Sequence, residues 1–399
     1  MSLVKFKNFQ FHIWMNIMRK NSKKIILSFL LTAVLCAGGA SLTSATAQNQ
    51  NVSEKNPLQW RLIGRVFFDG GVFMNDTLGW GNAFQVHDVR LGTVVKIFDN
   101  WEAKIELGYA DKKVSMKDIF VSYKLDKHLF CLGYAYEPWG SARVGTASFR
   151  FMQNATADNA LGQGRELGIS YSYNHNWMNV MAGVFSGGDI QTSGQMDQGY
   201  AIAAKFIGRP LMKEGRVLHL GLAPRFAEGK DVMDFAGGVP TNLVSKSENG
   251  FVDASVDRVI NSWKLDAECI FIYDKWYFQG QYLFAHLNRG GVDNFNGKGG
   301  YAQAGYLILG ERHNYNVSTG MMGNPAPKSL ELLLRYDNVN LNDAGVQGGR
   351  LSDITVGVNY FINKYIAAKL NYTRMMVGDS SPKGGGDFDL LQARLQVSF

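Results

Sequence analysis

The last nine residues, Leu391-Gln392-Ala393-Arg394-Leu395-Gln396-Val397-Ser398-Phe399, alternate apolar and polar side chains without a break. Successive side chains of a strand point to opposite faces, so Leu391, Ala393, Leu395, Val397 and Phe399 share one face and Gln392, Arg394, Gln396 and Ser398 the other. A helix would scatter both sets around its circumference. The same period recurs upstream. Trp101, Ile105, Leu107 and Tyr109 alternate with Glu102, Lys104 and Glu106; Trp263, Leu265, Ala267 and Phe271 with Lys264, Asp266 and Glu268; Ile354, Val356, Val358 and Tyr360 with Thr355, Gly357 and Asn359. Such runs last about ten residues, the length of a tilted strand that crosses a hydrocarbon core.

Two folds give strands one apolar and one polar face: a soluble sandwich, with the apolar face inward, and a membrane barrel, with it toward lipid. Turn spacing separates them. Short turns at Asp99-Asn100, Asp126-Lys127, Asn174-His175-Asn176, Asp274-Lys275 and Asn363-Lys364 alternate with longer Gly- and Asp-rich connections. Strands are expected at 60–69, 84–97, 101–111, 116–125, 129–136, 165–174, 176–186, 199–207, 216–226, 262–273, 276–287, 300–311, 329–338, 352–362, 365–377 and 388–399. Sixteen is even, so both ends return to one side, and the short turns gather there. The connection 312–328 is the departure, a long segment on the short-turn side. Trp60, Trp101, Trp177, Trp263, Trp276 and Tyr365 sit at or near strand starts, and Phe399 closes the last strand, as rings do at a membrane–water boundary. The fold expected is all-β, a transmembrane antiparallel β-barrel over 60–399.

Composition agrees. The 399 residues are 46% hydrophobic but only 19% charged, with 45 Gly and 8 Pro, which excludes disorder and suits uninterrupted strands. The net charge of +7 points to nucleic acid only until its location is read. Residues 1–47 hold six of the 41 Lys and Arg and no acid, leaving 35 basic against 34 acidic residues, so no nucleic-acid partner is expected. Arg19, Lys20, Lys23 and Lys24, the apolar run Ile25–Ala37 and the site Ala45-Thr46-Ala47 form a secretory signal, with translation starting at Met1, Met15 or Met18. A cleaved leader over 1–47 and a short periplasmic segment over 48–59 are expected. No later window holds 18 consecutive apolar residues.

The chain carries few motifs for chemistry. The His residues show no metal spacing, and Cys131 and Cys269 make no disulfide framework or zinc site. Ser186 lies in Val184-Phe185-Ser186-Gly187-Gly188, which lacks a nucleophile elbow, and Glu102 and Glu106, two apart on a strand, read as a wet surface. Neither an enzyme nor a cofactor is expected. By parity the inward basic residues are Arg61, Arg65, Arg90, Lys96, Lys104, Lys124, Lys264, Arg335, Lys369 and Arg394. Inward acids are as many: Asp69, Asp88, Glu102, Glu106, Asp118, Glu166, Asp266, Glu268, Glu331 and Asp337. Segment 227–261 reads as an acidic external loop, with Glu228, Asp231, Asp234, Glu248, Asp253 and Asp257 against Lys230, Lys246 and Arg258.

Several stretches resemble the phosphate-selective porin O and P family of Gram-negative outer membranes, in its Bacteroidetes-type form. They are WRLIGRVFFDGG at 60–71, FDNWEAKIE at 98–106, EPWG at 137–140, GRELG at 164–168, ELLLRY at 331–336, NLND at 340–343 and VGVNYFIN at 356–363. The resemblance implies a 16-stranded homotrimeric porin with a loop folded into the lumen, and the third outer loop, 137–164, is the candidate constriction. That loop offers Arg143 and Arg150 against Glu137 and Asp158, and these arginines either set the local field or anchor the loop to carboxylates. The function expected is passive diffusion of small hydrophilic solutes or anions across outer-membrane lipid, with phosphate preference weakened by the balanced lumen charge. The pore-lining, anion-interacting residues expected are Arg61, Arg65, Arg90, Lys96, Lys104, Arg143, Arg150, Arg335, Lys369 and Arg394. The alternative is a surface-binding, adhesin-type barrel with a closed lumen.

Overall fold

The computed structural model describes residues 58–76, 79–110, 113–141, 150–187, 198–238, 243 and 250–399. The leader, residues 48–57 and Arg143 lie outside the described residues. Sixteen strands close into a barrel: β1 (Leu58–Met74), β2 (Asn82–Ile97), β3 (Trp101–Ala110), β4 (Lys113–Leu125), β5 (His128–Tyr136), β6 (Arg165–Asn174), β7 (Met178–Ser186), β8 (Tyr200–Lys213), β9 (Arg216–Gly237), β10 (Val252–Tyr273), β11 (Trp276–Arg289), β12 (Phe295–Leu309), β15 (Ser329–Asp343), β16 (Val346–Phe361), β17 (Ile366–Val377) and β18 (Gly386–Ser398). Neighbours pair antiparallel, and β1 pairs with β18 from Arg65↔Ser398 to Met74↔Asp389, which leaves no open edge. A short helix, α1 (Thr156–Leu161), and a small hairpin of β13 (Asn314–Asn316) and β14 (Met321–Gly323) complete the described elements.

The faces settle the choice between sandwich and barrel. On β18, Leu391 and Leu395 are exposed while Gln392, Arg394 and Gln396 are buried. On β10, Trp263 and Leu265 are exposed while Lys264, Asp266 and Glu268 are buried, and on β16 Ile354, Val356 and Tyr360 flank buried Thr355 and Asn359. Apolar side chains therefore look outward from a closed sheet, the reverse of a soluble core and the arrangement that lipid requires.

Trp60, Trp101, Trp177, Trp276, Tyr365 and Phe399 are exposed at the short-turn end. Trp263 is placed differently from its expected position near a strand start, because β10 begins at Val252 and the ring stands mid-strand. It packs against Phe226 at 4.9 Å between ring centroids, and Phe226 lies 6.1 Å from Tyr200, so these three rings belong to the opposite girdle. From Trp263 to Tyr273, about ten residues at ~3.3 Å and a ~40° tilt rise roughly 25 Å, the height of a lipid band.

The expected loop 227–261 is mostly strand, since β9 runs on to Gly237 and β10 starts at Val252. Its alternation had changed sign. The register shifts between Val256 and Val259, where Arg258 has φ +55° and Asp231 on β9 has φ +64°. Below that bulge apolar residues face lipid. Above it Val252, Ala254, Val256 and Phe235 turn inward and are buried, while Asp253, Ser255 and Asp257 face out. An outward polar face marks a wall standing in water, so the membrane's outer boundary falls near the bulge. The gap between the expected strands ending at 338 and starting at 352 likewise shrinks to a turn at Ala344-Gly345, with φ +48° and +80°.

Candidate functional site: a lumen divided by its third outer loop

The described residues of segment 137–164, which are 137–141 and 150–164, fold into the barrel, and the lumen side chains of β8–β18 hold them there. At its start, Arg225 Nε and Nη2 donate to the Glu137 carboxylate at 2.7 and 2.9 Å, and Lys205 Nζ donates to the Gly140 carbonyl at 2.6 Å. Farther along, Arg394 donates to the Met152 carbonyl at 2.7 Å and grips Asp69 through two nitrogens at 2.6 and 2.5 Å. Arg335 donates to the Gln153 carbonyl at 2.9 Å. The amides of Thr156 and Ala157, at the start of α1, donate to Asp337, and Lys264 donates to the Leu161 carbonyl at 3.2 Å. A loop buried against a wall must satisfy its backbone groups there, and inward cations do so for its carbonyls.

The long connection on the short-turn side is also accounted for. Its hairpin β13–β14 tucks against the inner wall, where the Tyr315 hydroxyl lies 2.8 Å from His219 Nδ1 and accepts from Arg209 Nη1 at 3.2 Å. His219 in turn contacts Glu268 at 2.9 Å. Asn179 Nδ2 donates to the Val317 carbonyl at 3.0 Å. Met322 shares an apolar cluster with Phe151 of the folded-in loop, and Arg150 Nη2 donates to the Gly323 carbonyl at 2.5 Å. Burial, and then the Arg150 charge, push the His313 imidazole down to about 3, so at neutral pH it is uncharged and its Nε2 donates to the Lys275 carbonyl at 3.0 Å.

The remaining wall, β1–β6, carries a chain of ion pairs that crosses five of its strands. Arg65 on β1 pairs with Asp88 on β2; Arg90 lies 2.7 Å from Asp88 and 3.6 Å from Glu106 on β3. Lys104 lies 2.9 Å from Glu106 and 2.5 Å from Asp118 on β4. Arg165, at the start of β6, ends the chain 2.5 Å from Asp118 with its guanidinium over the Tyr136 ring of β5. Lys117 lies across Gly108 and has no carboxylate within 4.0 Å among the described residues. Counting Lys117 and Glu166, the five cations along this chain stand against four carboxylates, a local net of +1, while Arg61, Lys96, Lys124 and Glu102 lie nearer the short-turn end.

Exposure divides the lumen charges. Side chains of the ion-pair chain keep 8–19% of their surface open to water. Those of Arg150, Glu331, Lys205, Glu268, Arg335, Asp353, Arg394 and Asp69 keep 0–3%, and that of Arg225 keeps 6%. The loop has therefore taken one wall out of the water and left the other.

Of the expected lumen residues, Arg65, Arg90 and Lys104 belong to the open wall, and Arg61 and Lys96 are exposed near its short-turn end. Arg150, Arg335, Lys369 and Arg394 point into the barrel but are buried beneath the loop, so they do not line its water. Arg150 serves as an anchor: besides Gly323 it approaches Glu331 at 3.6 Å, and its own carbonyl accepts from Asn359 at 2.8 Å. Parity missed Lys117 and Arg165. A bulge opposite Ile105–Leu107 turns both Lys117 and Asp118 inward, and Arg165 reaches Asp118 although its neighbour Glu166 holds the inward parity. A second bulge, with Asp88 at φ +51°, brings Asp88 inward while Phe84 and Val86 of the same parity face out. Lys205 and Arg225 are also absent from the expected set, although alternation could have found them, since they share the inward face of β8 and β9 with Ala203 and Ala223.

A closed sixteen-strand barrel, apolar outside, polar within and narrowed by an infolded outer loop, is a diffusion channel of the Gram-negative outer membrane. The chain belongs to the family described as phosphate-selective porin O and P, whose model matches residues 62–399. An uncharacterized protein of Caulobacter vibrioides is 24% identical over 352 residues, covering 80% of this chain and 69% of that one. Among solved structures, the anion-selective porin from Comamonas acidovorans matches with TM-score 0.59 and 14% identity over 86% of this chain and 100% of that chain. The trimer form of OmpT from Vibrio cholerae matches at 0.54 and 11%, over 86% and 100%. The outer membrane channel DcaP of Acinetobacter baumannii matches at 0.53 and 13%, over 87% and 99%. At these identities the likeness is one of fold.

Proposed function

We propose that small hydrophilic solutes cross by passive diffusion along the β1–β6 wall, with a weak preference for anions and without any catalytic step or cofactor. The observation that carries this is the division of exposure, which leaves a single charged wall in contact with water. Its carboxylates neutralise most of its cations, so the field on a passing ion is small, and the surplus positive charge, with no carboxylate within 4.0 Å of Lys117 among the described residues, tips it toward anions. Strong phosphate selectivity is not expected, because the described arginines at the loop, Arg150, Arg335 and Arg394, are engaged with carbonyls and carboxylates. The Comamonas acidovorans porin, described as anion-selective, supports the sign of the preference, and the trimer form of OmpT supports a homotrimer.

Reversal potentials across a salt gradient in planar bilayers test the proposal. Steady steps of current with a chloride-to-potassium permeability ratio somewhat above unity are expected. Absence of steps would favour the surface-binding barrel with a closed lumen, and a cation preference would overturn the role of the open wall. Residues 1–47 are proposed as a cleaved export signal and 48–59 as a short periplasmic segment whose last two residues already belong to β1, checked by N-terminal sequencing of the mature protein.

A further inference from the structure

The open wall and the part of the loop that stays wet differ in chemistry. Five cations and the carboxylates of Asp88, Glu106 and Asp118 alternate in sign along the wall, and among the described residues each except Lys117 lies within 4 Å of an opposite charge. Among the described residues of the loop, the charged groups Glu137, Arg150 and Asp158 are buried, whereas the partly exposed side chains include the amides Asn154, Asn159 and Gln163. A solute entering a constriction sheds part of its hydration, and the wall must replace it. A row of one sign does this for one kind of ion. A row of alternating sign gives a lone ion little net field but offers a counter-charge to each end of a molecule that bears both charges. Adjacent strands lie about 4.8 Å apart, so neighbouring wall charges repeat on the scale that separates an ammonium from a carboxylate in a small amino acid or peptide.

The geometry points to zwitterionic solutes of the amino-acid and short-peptide class as those this channel passes best, with the amides of the loop serving peptide groups. This rests on the diffusion reading above and narrows its solute class. The test is swelling of proteoliposomes in alanine and in its uncharged isomer lactamide, which share size and composition. The native porin should admit alanine several-fold faster than lactamide in low salt, and the advantage should vanish in 1 M salt as screening shortens to about 3 Å. The Asp88→Asn, Glu106→Gln, Asp118→Asn variant, whose wall is cationic only, should bring the two rates together while raising anion preference. Should that variant not fold, Glu106→Gln alone should lower the ratio. Equal native rates, or a ratio untouched by a folded variant, would overturn the inference while leaving a working channel. Entry of neither solute would instead remove the diffusion reading itself, and this inference with it.

Discussion

Replacing Lys117 with glutamate changes the charge of the open wall by two units and breaks no ion pair within 4.0 Å among the described residues, because the ammonium has no carboxylate there. For an ion passing about 6 Å away, two charges in water are worth about 1.4 kcal/mol, and screening at 0.1 M salt reduces this to about 0.8 kcal/mol. Anion entry should fall and cation entry rise, each roughly fourfold, so the permeability ratio should move by roughly tenfold toward cations. At 1 M salt, with a screening length of about 3 Å, the same substitution should shift each ion by less than about 1.5-fold. Reversal potentials at the two salt concentrations read both numbers. An unchanged ratio at 0.1 M would place Lys117 away from the conduction path, and an equal shift at 1 M would mean that the residue acts through structure rather than through its field.

Three further outcomes are expected. Leu334, exposed on the lipid face of β15 and about five residues above its short-turn end, should cost about 2–4 kcal/mol when changed to arginine, measured by urea titration of folding into lipid vesicles. Arg394→Met leaves Asp69 buried without its partner and frees the Met152 carbonyl, so about 3–5 kcal/mol of local stability should be lost, seen as protease cleavage within 137–164 in an otherwise folded barrel. Docking of the β13–β14 hairpin should weaken in acid. With His313 lowered from 6.5 to about 3, docking is fully favourable above about pH 6.5 and loses strength as pH falls toward 3; conductance should rise over that window, and His313→Phe should abolish the rise.

The barrel was legible because its signal is local. Whether residues 391 to 399 alternate is decided by neighbours two apart, and a count of such runs fixed sixteen strands and the gathering of short turns on one side. The signal failed where its physical basis changed. Above the bulges at Asp231 and Arg258 the outer face meets water instead of lipid, so the apolar residues of β9 and β10 turn inward and the pattern reads as loop. At Lys117 one extra residue in the strand redirected a side chain that parity had sent outward.

What the sequence determined by itself, outside the bulges, is which side chains enter the barrel, since the pleat assigns them two by two. Which of those charges meet water was decided only by the tertiary structure. Arg394 and Arg90 both point inward, yet Arg394 is sealed by the Met152 carbonyl, 242 residues away along the chain, while Arg90 stays on the open wall. Alternation carries no information about where a loop comes to rest. That is set by the sum of hydrogen bonds and ion pairs that the loop finds across the lumen, and so by contacts that exist only once the sheet has closed.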